Sequence, residues 1–510
     1  MARVVVVGAG MGGLAVAARL ATVGHDVVVC EQADRVGGKV GTVERDGFVF
    51  DTGPSLLTLP AVYRDLFVKT GRPIEDSIDL VEVDPAFRYR FPAVGGADGG
   101  EGVDGASGAV WLDVPNASRA GTVAAMDAAL GAGAGDDWAA FLDRAHQVWQ
   151  VTRGPFLESP LGGPRDLVRL ARRTSDVRTV APWSSLRAVG RKHLRDPRLR
   201  MLLDRYATYT GSDPRRAPAA LAVVPYVEQT FGAWHVRGGI GRLAHAVHER
   251  ALLRGVDVRT GTEVTGVLVE GGRAAGVELA DGQRLAADVV VSNADATHLY
   301  GDLVQRTVAA SARRRLARAT PSLSGFVLLL AVRGRTPELA HHTVLFPEDY
   351  DAEFDAVFGR DARPVEDPTL YVCSPDDPAM RPEGHEAWFV LVNAPRHGSG
   401  PGCVDWRAPG LAESYAARLI DRLAARGLDV RGRLLWHEVR TPADLEQATR
   451  SPGGAIYGTS SNGARAAFLR PANRSPVPGL FLVGGSAHPG GGLPLVGLSA
   501  AIVADLVGPA

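Results

Sequence analysis

Hydrophobic and polar positions change period many times along this 510-residue chain, and each change predicts an element. Residues 3–7 and 26–30 are short Val-rich runs, the pattern of strands covered on both faces. Between them, residues 14–20 return Leu, Val and Ala at helical spacing. Residues 63–70 read as a helix stopped by Gly71 and Pro73. Residues 87–91 and 109–113 read as paired strands joined by a long Gly-rich tip. Over 136–151, Trp138, Phe141, Leu142, Ala145 and Trp149 fall on one helical face, a core-packing pattern. A helix at 243–253, a strand at 255–259, a strand at 262–267, a hairpin turn at Asp281-Gly282 and a strand at 287–295 follow. Strands at 324–332, 368–373 and 387–393 lead to an amphipathic helix at 411–426, and a strand, a glycine loop and a helix at 495–506 close the chain.

The first forty residues carry a recognisable chemistry. Strand 3–7 runs directly into Gly8-Ala9-Gly10-Met11-Gly12-Gly13 and then into a helix. Gly8 permits the turn, Gly10 lets backbone approach a pyrophosphate, and Gly13 lets the helix sit close to the strand. The helix N-terminus then offers free N–H groups and the positive end of its dipole to phosphate. Strand 26–30 ends in Glu31, placed to hydrogen-bond a ribose hydroxyl. The run Gly100-Glu101-Gly102-Val103-Asp104-Gly105 also fits G-x-G-x-x-G, but no strand precedes it and no helix follows, so it reads as a hairpin tip.

Arg35-Val36-Gly37-Gly38-Lys39 and Asp51-Thr52-Gly53-Pro54 follow the acidic strand end. This extended pattern resembles the FAD-binding start of the amine-oxidase and phytoene-desaturase superfamily. Arg205-Tyr206-Ala207-Thr208-Tyr209-Thr210-Gly211-Ser212-Asp213-Pro214, Gly232-Ala233-Trp234 and Arg237-Gly238-Gly239-Ile240-Gly241-Arg242-Leu243 resemble the phytoene-desaturase family more closely. So does the ending, Gly453-Gly454-Ala455-Ile456-Tyr457-Gly458, Phe468-Leu469-Arg470-Pro471 and Gly484-Gly485-Ser486-Ala487-His488-Pro489-Gly490-Gly491-Gly492-Leu493-Pro494. The nearest branch is that of the hydroxycarotenoid 3,4-desaturases, whose ending diapocarotenoid oxygenases largely share. The resemblance implies an α/β fold: a Rossmann-type FAD domain built from residues 1–85, 235–300 and 472–510, and an α+β substrate domain from 86–234 and 301–471. It places Met11, Gly12, Gln32, Gly38, Lys39, Thr52, Gly53, Pro54, Val264, Gly484, Gly485, Pro494, Leu495 and Val496 along the FAD, beside Gly8, Gly10, Gly13 and Glu31. The family usually has Arg where this chain has Lys39. His488 is the candidate proton-handling residue, set against a structural role in positioning the loop.

The implied activity is two-electron desaturation of an acyclic carotenoid, with the late 3,4-type step preferred over phytoene. End-group oxygenation and flavin amine oxidation are the alternatives. FAD carries the hydride chemistry, so no nucleophile–base pair is required. Oxygen or a quinone is the expected electron acceptor, because no second nucleotide site is apparent.

Composition adds compartment and partners. At this length two domains are expected, and 45% hydrophobic residues suffice for both cores. No apolar run approaches the roughly 18 residues of a membrane span. Arg3 already opens the first strand, which leaves no room for a signal peptide. Cys30, Cys373 and Cys403 lack disulfide or metal spacing, which suits a reducing cytosol. Between Gly163 and Arg200 there are eleven Arg or Lys against three Asp, in a chain of net charge −1. Apolar residues, Trp183 among them, interleave with these charges, so the stretch predicts peripheral contact with the inner face of an anionic membrane. No feature resembles a nucleic-acid reader. His298, His341, His342 and His437 are scattered without metal-ligand spacing, so no metal is expected.

Overall fold

The computed structural model describes residues 1–93, 108–161, 174–463 and 466–510. The Gly100–Gly105 run lies outside these residues, as do Leu167, Val168, Leu170, Arg172 and Arg173 of the basic stretch.

A parallel five-stranded sheet, ordered Asp257–Arg259, Asp26–Cys30, Arg3–Val7, Val289–Ser292 and Leu480–Leu482, gathers segments from both ends and the middle of the chain. Its Val runs are buried on both faces. Val4, Val6, Val27 and Val29 meet the core beneath the helices Met11–Thr22, Gly241–Leu253 and Leu493–Val507. Val5, Val7, Val28 and Cys30 meet the three-stranded antiparallel sheet Val264–Glu270, Arg273–Leu279 and Arg284–Ala286. Each such side chain contributes roughly 1.5–3 kcal/mol on burial. That burial explains why the runs do not alternate with polar residues.

A seven-stranded mixed sheet occupies the other half of the protein, ordered Leu434–Arg440, Ser324–Arg333, His385–Ala394, Leu370–Cys373, His342–Leu345, Phe87–Phe91 and Val110–Val114. Ser324–Arg333 alternates faces in the ordinary way of a strand. Phe326, Leu328, Leu330 and Val332 pack with the helix Leu411–Ala425, while Leu329 and Ala331 pack on Phe48 and Phe50. Phe87, Tyr89 and Phe91 face a helical layer containing Trp138, Phe141, Leu202 and Tyr206. The helix expected over 136–151 is Ala134–Thr152, and the final helix starts at Leu493 with Pro494 in its first turn. Proline is tolerated there because the first-turn N–H groups have no helical partner.

The basic stretch is less free than its charge suggests. Leu186, Val189 and Leu194 are core residues. Arg187 pairs with Asp204 and Asp351, Arg195 with Asp137 and Arg198 with Asp196. What faces outward is Arg178, Arg191, Lys192 and Trp183, the last 69% exposed. No helix among the described residues is long and apolar enough to cross a membrane.

Candidate functional site

The first strand delivers Gly8 into its turn at φ +95°, a conformation that favours glycine. A Cβ on Gly13 would stand 2.0 Å from the Gly8 carbonyl oxygen, so close seating of the helix requires glycine. The helix Met11–Thr22 is capped by Gly10, which offers no side-chain acceptor, and its first turn holds no acid. The first N–H groups of that helix therefore remain for an anionic ligand. Glu31 is 7% exposed, and its carboxylate braces the same turn. Ala9 N–H donates to Glu31 Oε2 at 2.7 Å, and Ala33 N–H to Oε1 at 3.0 Å. Each oxygen retains a second acceptor site for a hydroxyl.

Gly37 N–H donates to the Ala9 carbonyl at 2.9 Å and brings Gly38 beside Gly10. Lys39 reaches toward the closing segment. Its Nζ donates to the carbonyls of Ala455 and Ile456, at 3.1 and 2.7 Å, and so ties the N-terminal glycine segment to the closing one. Burial draws its pKa below the usual lysine value, with Asp295 opposing the shift. Gln32 likewise turns outward: its amide donates to the Ala448 carbonyl and its oxygen accepts from Arg450. Val264 opens its strand two residues after Thr262, whose N–H donates to the Glu31 carbonyl. Thr52 N–H donates to the Gly41 carbonyl, so Thr52, Gly53 and Pro54 pass beside the groove and keep partial exposure.

The second glycine segment meets the first at Asn293. Its Nδ2 donates to the Val483 carbonyl at 3.1 Å, and its side chain lies against Gly10, Gly12 and Gly484. Gly484 N–H donates to Ser499 Oγ at 3.1 Å. The helix Leu493–Val507 is capped by Gly492, again with no side-chain acceptor and no acid in its first turn. Gly485, Gly491, Pro494, Leu495 and Val496 all keep part of their surface accessible. Arg470 is buried, which lowers its pKa to about 10, and it donates to the carbonyls of Tyr457, Thr459 and Gly485. That fan of bonds fixes the closing segment.

Sequence reasoning missed Asn293, Ser499 and the role of Arg470. A lone Asn after a strand, or an Arg in a loop, carries no spacing signal. His488 is fully buried; its Nε2–H donates to the Ser159 carbonyl at 3.0 Å, and burial lowers its pKa to about 4. This bond and the edge contact with the Phe156 ring tie the glycine loop to the segment around Arg153–Leu157 and Ser159.

Lys39, Tyr209, Tyr371 and Tyr457 lie deep in the protein yet keep accessible surface. Accessible surface at that depth means that each borders a cleft or cavity, and two of them stand next to the glycine segments. Tyr371 Oη is 2.8 Å from Ser55 Oγ, next to Pro54, and a Cβ on Gly491 would meet Tyr457 Cδ1 at 2.3 Å. His341 and His342 are not scattered. Strand pairing sets His342 opposite Cys373, and with His341 their ligand atoms lie within 4.8 Å of one another. Burial keeps both imidazoles neutral.

Two uncapped helix N-termini, the Glu31 carboxylate and an aromatic-lined space form a cradle whose chemistry fits FAD: diphosphate and ribose at the first turn, isoalloxazine at the second. The chain matches the family described as flavin containing amine oxidoreductase over residues 11–400. It is 34% identical to a 4,4'-diapolycopene oxygenase of Methylomonas sp., covering 99% of this chain and 98% of that one. It is 34% identical to a hydroxyneurosporene desaturase of Rubrivivax gelatinosus, over 99% and 92%. It is 32% identical to a zeta-carotene-forming phytoene desaturase of Myxococcus xanthus, over 99% and 93%. Among solved structures, an oxidoreductase from Methanosarcina mazei superposes with TM-score 0.63 at 19% identity, covering 99% of this chain and all of the other. A putrescine oxidase variant superposes at 0.65 and 16%, over 99% and 98%. These two show the fold.

Proposed function

The chain belongs to the flavin containing amine oxidoreductase family and stands among its carotenoid desaturases and oxygenases, and from that membership we propose that it desaturates an acyclic carotenoid, preferring a late 3,4-type step over phytoene. It is an FAD-dependent oxidoreductase. Bound FAD supplies the hydride acceptor. The protein's part is to hold that cofactor and to lay an extended apolar substrate beside it with water excluded. Gly8, Gly10, Gly12 and Gly13 would take the diphosphate, Glu31 the ribose, and the Gly484-Gly485 loop with Pro494, Leu495 and Val496 the ring system. Residues 1–85, 235–300 and 472–510 would form the cofactor domain, and 86–234 with 301–471 the substrate domain.

The observation that carries this reading is full-length similarity to relatives named for acyclic carotenoids, joined to an aromatic-lined interior space beside the cradle. We place the protein on the inner face of the membrane, where such a substrate dissolves. The exposed Trp183, with the exposed Arg191 and Lys192 on the helix Leu186–His193 that follows it, supports this. Oxygen or a quinone would receive the electrons. The end-group oxygenase remains the second reading, favoured by the Methylomonas relative.

The test is incubation of holoenzyme in liposomes with phytoene, lycopene and 1-hydroxylated acyclic carotenoids separately, reading product mass. Loss of two hydrogens from the hydroxylated substrates alone is expected. Loss from phytoene overturns the late-step preference, gain of oxygen selects the oxygenase, and no change with any polyene overturns the carotenoid reading.

A further inference from the structure

Arg205 is an odd residue to place inside a hydrocarbon-handling enzyme. The helix Pro197–Thr208 carries it into the core, where it is 6% exposed and packed among rings. Its guanidinium carbon lies 4.9 Å from the ring centroids of Phe87 and Tyr209, and 5.7 Å from those of Tyr89 and Tyr371. Nη1 donates to Tyr209 Oη at 2.6 Å. Tyr209 in turn donates to Glu228 Oε2 at 3.0 Å, and Tyr206 to Oε1 at 2.6 Å. Nε and Nη2 have no hydrogen-bond partner among the described residues, yet they are not fully sealed in.

Tyr209 and Tyr371, whose rings pack on the guanidinium, also keep accessible surface, and Tyr371 Oη reaches Ser55 Oγ beside Pro54 at the edge of the cradle. A polyene end made only of carbon would lie against these donors and leave them unpaired and out of water, which is costly for a charged group. An oxygen on that end would accept from them. Glu228 already supplies the carboxyl of the cluster, so a neutral oxygen suits it better than a second carboxylate.

We infer that Arg205 is a specificity-determining residue that anchors a hydroxyl or carbonyl oxygen at one end of the acyclic carotenoid. This rests on the carotenoid reading above and narrows it to substrates with an oxygen-bearing end.

The experiment is equilibrium binding to holoenzyme in detergent micelles, followed by quenching of tryptophan fluorescence, with lycopene and 1-hydroxylycopene as the probes. Wild type should bind the hydroxylated probe roughly ten- to a hundredfold more tightly, the range for a hydrogen bond to a charged donor. Arg205→Met should abolish that difference and leave lycopene affinity within about twofold, while Arg205→Lys restores part of it. Tyr209→Phe keeps the ring and loosens the guanidinium; a reduced preference there decides the matter if Arg205→Met fails to fold. Equal affinity of wild type for both probes overturns the inference, as does an equal loss of both in Arg205→Met or an unchanged preference in Tyr209→Phe. Failure of wild type to bind either probe overturns the carotenoid reading itself, and is told apart because no preference is then measurable in any variant.

Discussion

Glu31→Gln removes one charge and no bulk from the first turn, which makes it a clean probe of the cradle. The carboxylate receives two backbone N–H groups, from Ala9 at 2.7 Å and Ala33 at 3.0 Å. Gln keeps a single oxygen and must turn its amide NH2 toward one of those donors. A hydrogen bond to a charged group contributes about 1.5–3 kcal/mol. Losing one loosens the turn, and the ribose hydroxyls lose a charged acceptor as well. At about 1.4 kcal/mol per tenfold, FAD affinity should fall roughly ten- to a hundredfold. Apoprotein titrated with FAD, with flavin fluorescence read as quenching, measures this directly, and melting of the apoprotein separates global destabilisation from lost contact. An unchanged dissociation constant in Glu31→Gln would refute the assignment of Glu31 to the cofactor.

Gly13→Ala sets a Cβ 2.0 Å from the Gly8 carbonyl oxygen. The helix must back away, so the purified variant should carry little flavin by absorbance; full occupancy would contradict the close seating of strand and helix. His341→Asn tests the buried imidazole. Burial takes the His341 pKa from 6.5 to about 3, so the stability it confers is complete above pH 6.5 and is lost as pH falls toward 3, at roughly 1.4 kcal/mol per pH unit. Asp51 and Asp204, whose carboxyl pKa values burial raises to about 6 and about 7, run the opposite way but cancel between the two proteins. Denaturant midpoints from pH 7 to pH 4 should therefore converge or cross on acidification, and parallel curves would show that His341 already protonates freely in the fold. Replacing Arg191 and Lys192 with Gln, and Trp183 with Ser, should weaken sedimentation with anionic liposomes, each charge contributing roughly 1 kcal/mol at low salt. Wild type that ignores such liposomes would remove the membrane reading.

The part built on the five-stranded parallel sheet was the more legible because its constraints are local. A Val run, a glycine turn and an acid after the next strand each state a backbone requirement within a few residues. The part built on the seven-stranded sheet was legible as strands but not as a site. His342 and Cys373 meet only because two strands pair in one register, and Arg205 reaches Glu228 only through the hydroxyl of Tyr209. Such contacts depend on packing between distant segments, which no spacing rule encodes. Lys39 shows the same limit. Its Nζ donates to carbonyls of the closing segment, a tie between distant stretches that its place after two glycines did not announce. Charge counted along the basic stretch likewise ignores the aspartates that pair with part of it in space.

The central claim is that the interior space beside the flavin cradle receives a polyene and that hydrogen leaves it there. Anaerobic incubation of holoenzyme with a 1-hydroxylated acyclic carotenoid in liposomes, with no added acceptor, tests it most directly. The account predicts one equivalent of product lacking two hydrogens per bound flavin, then arrest until oxygen or a quinone is admitted. Unchanged carotenoid, in a preparation whose bound flavin is bleached by an amine, would contradict it.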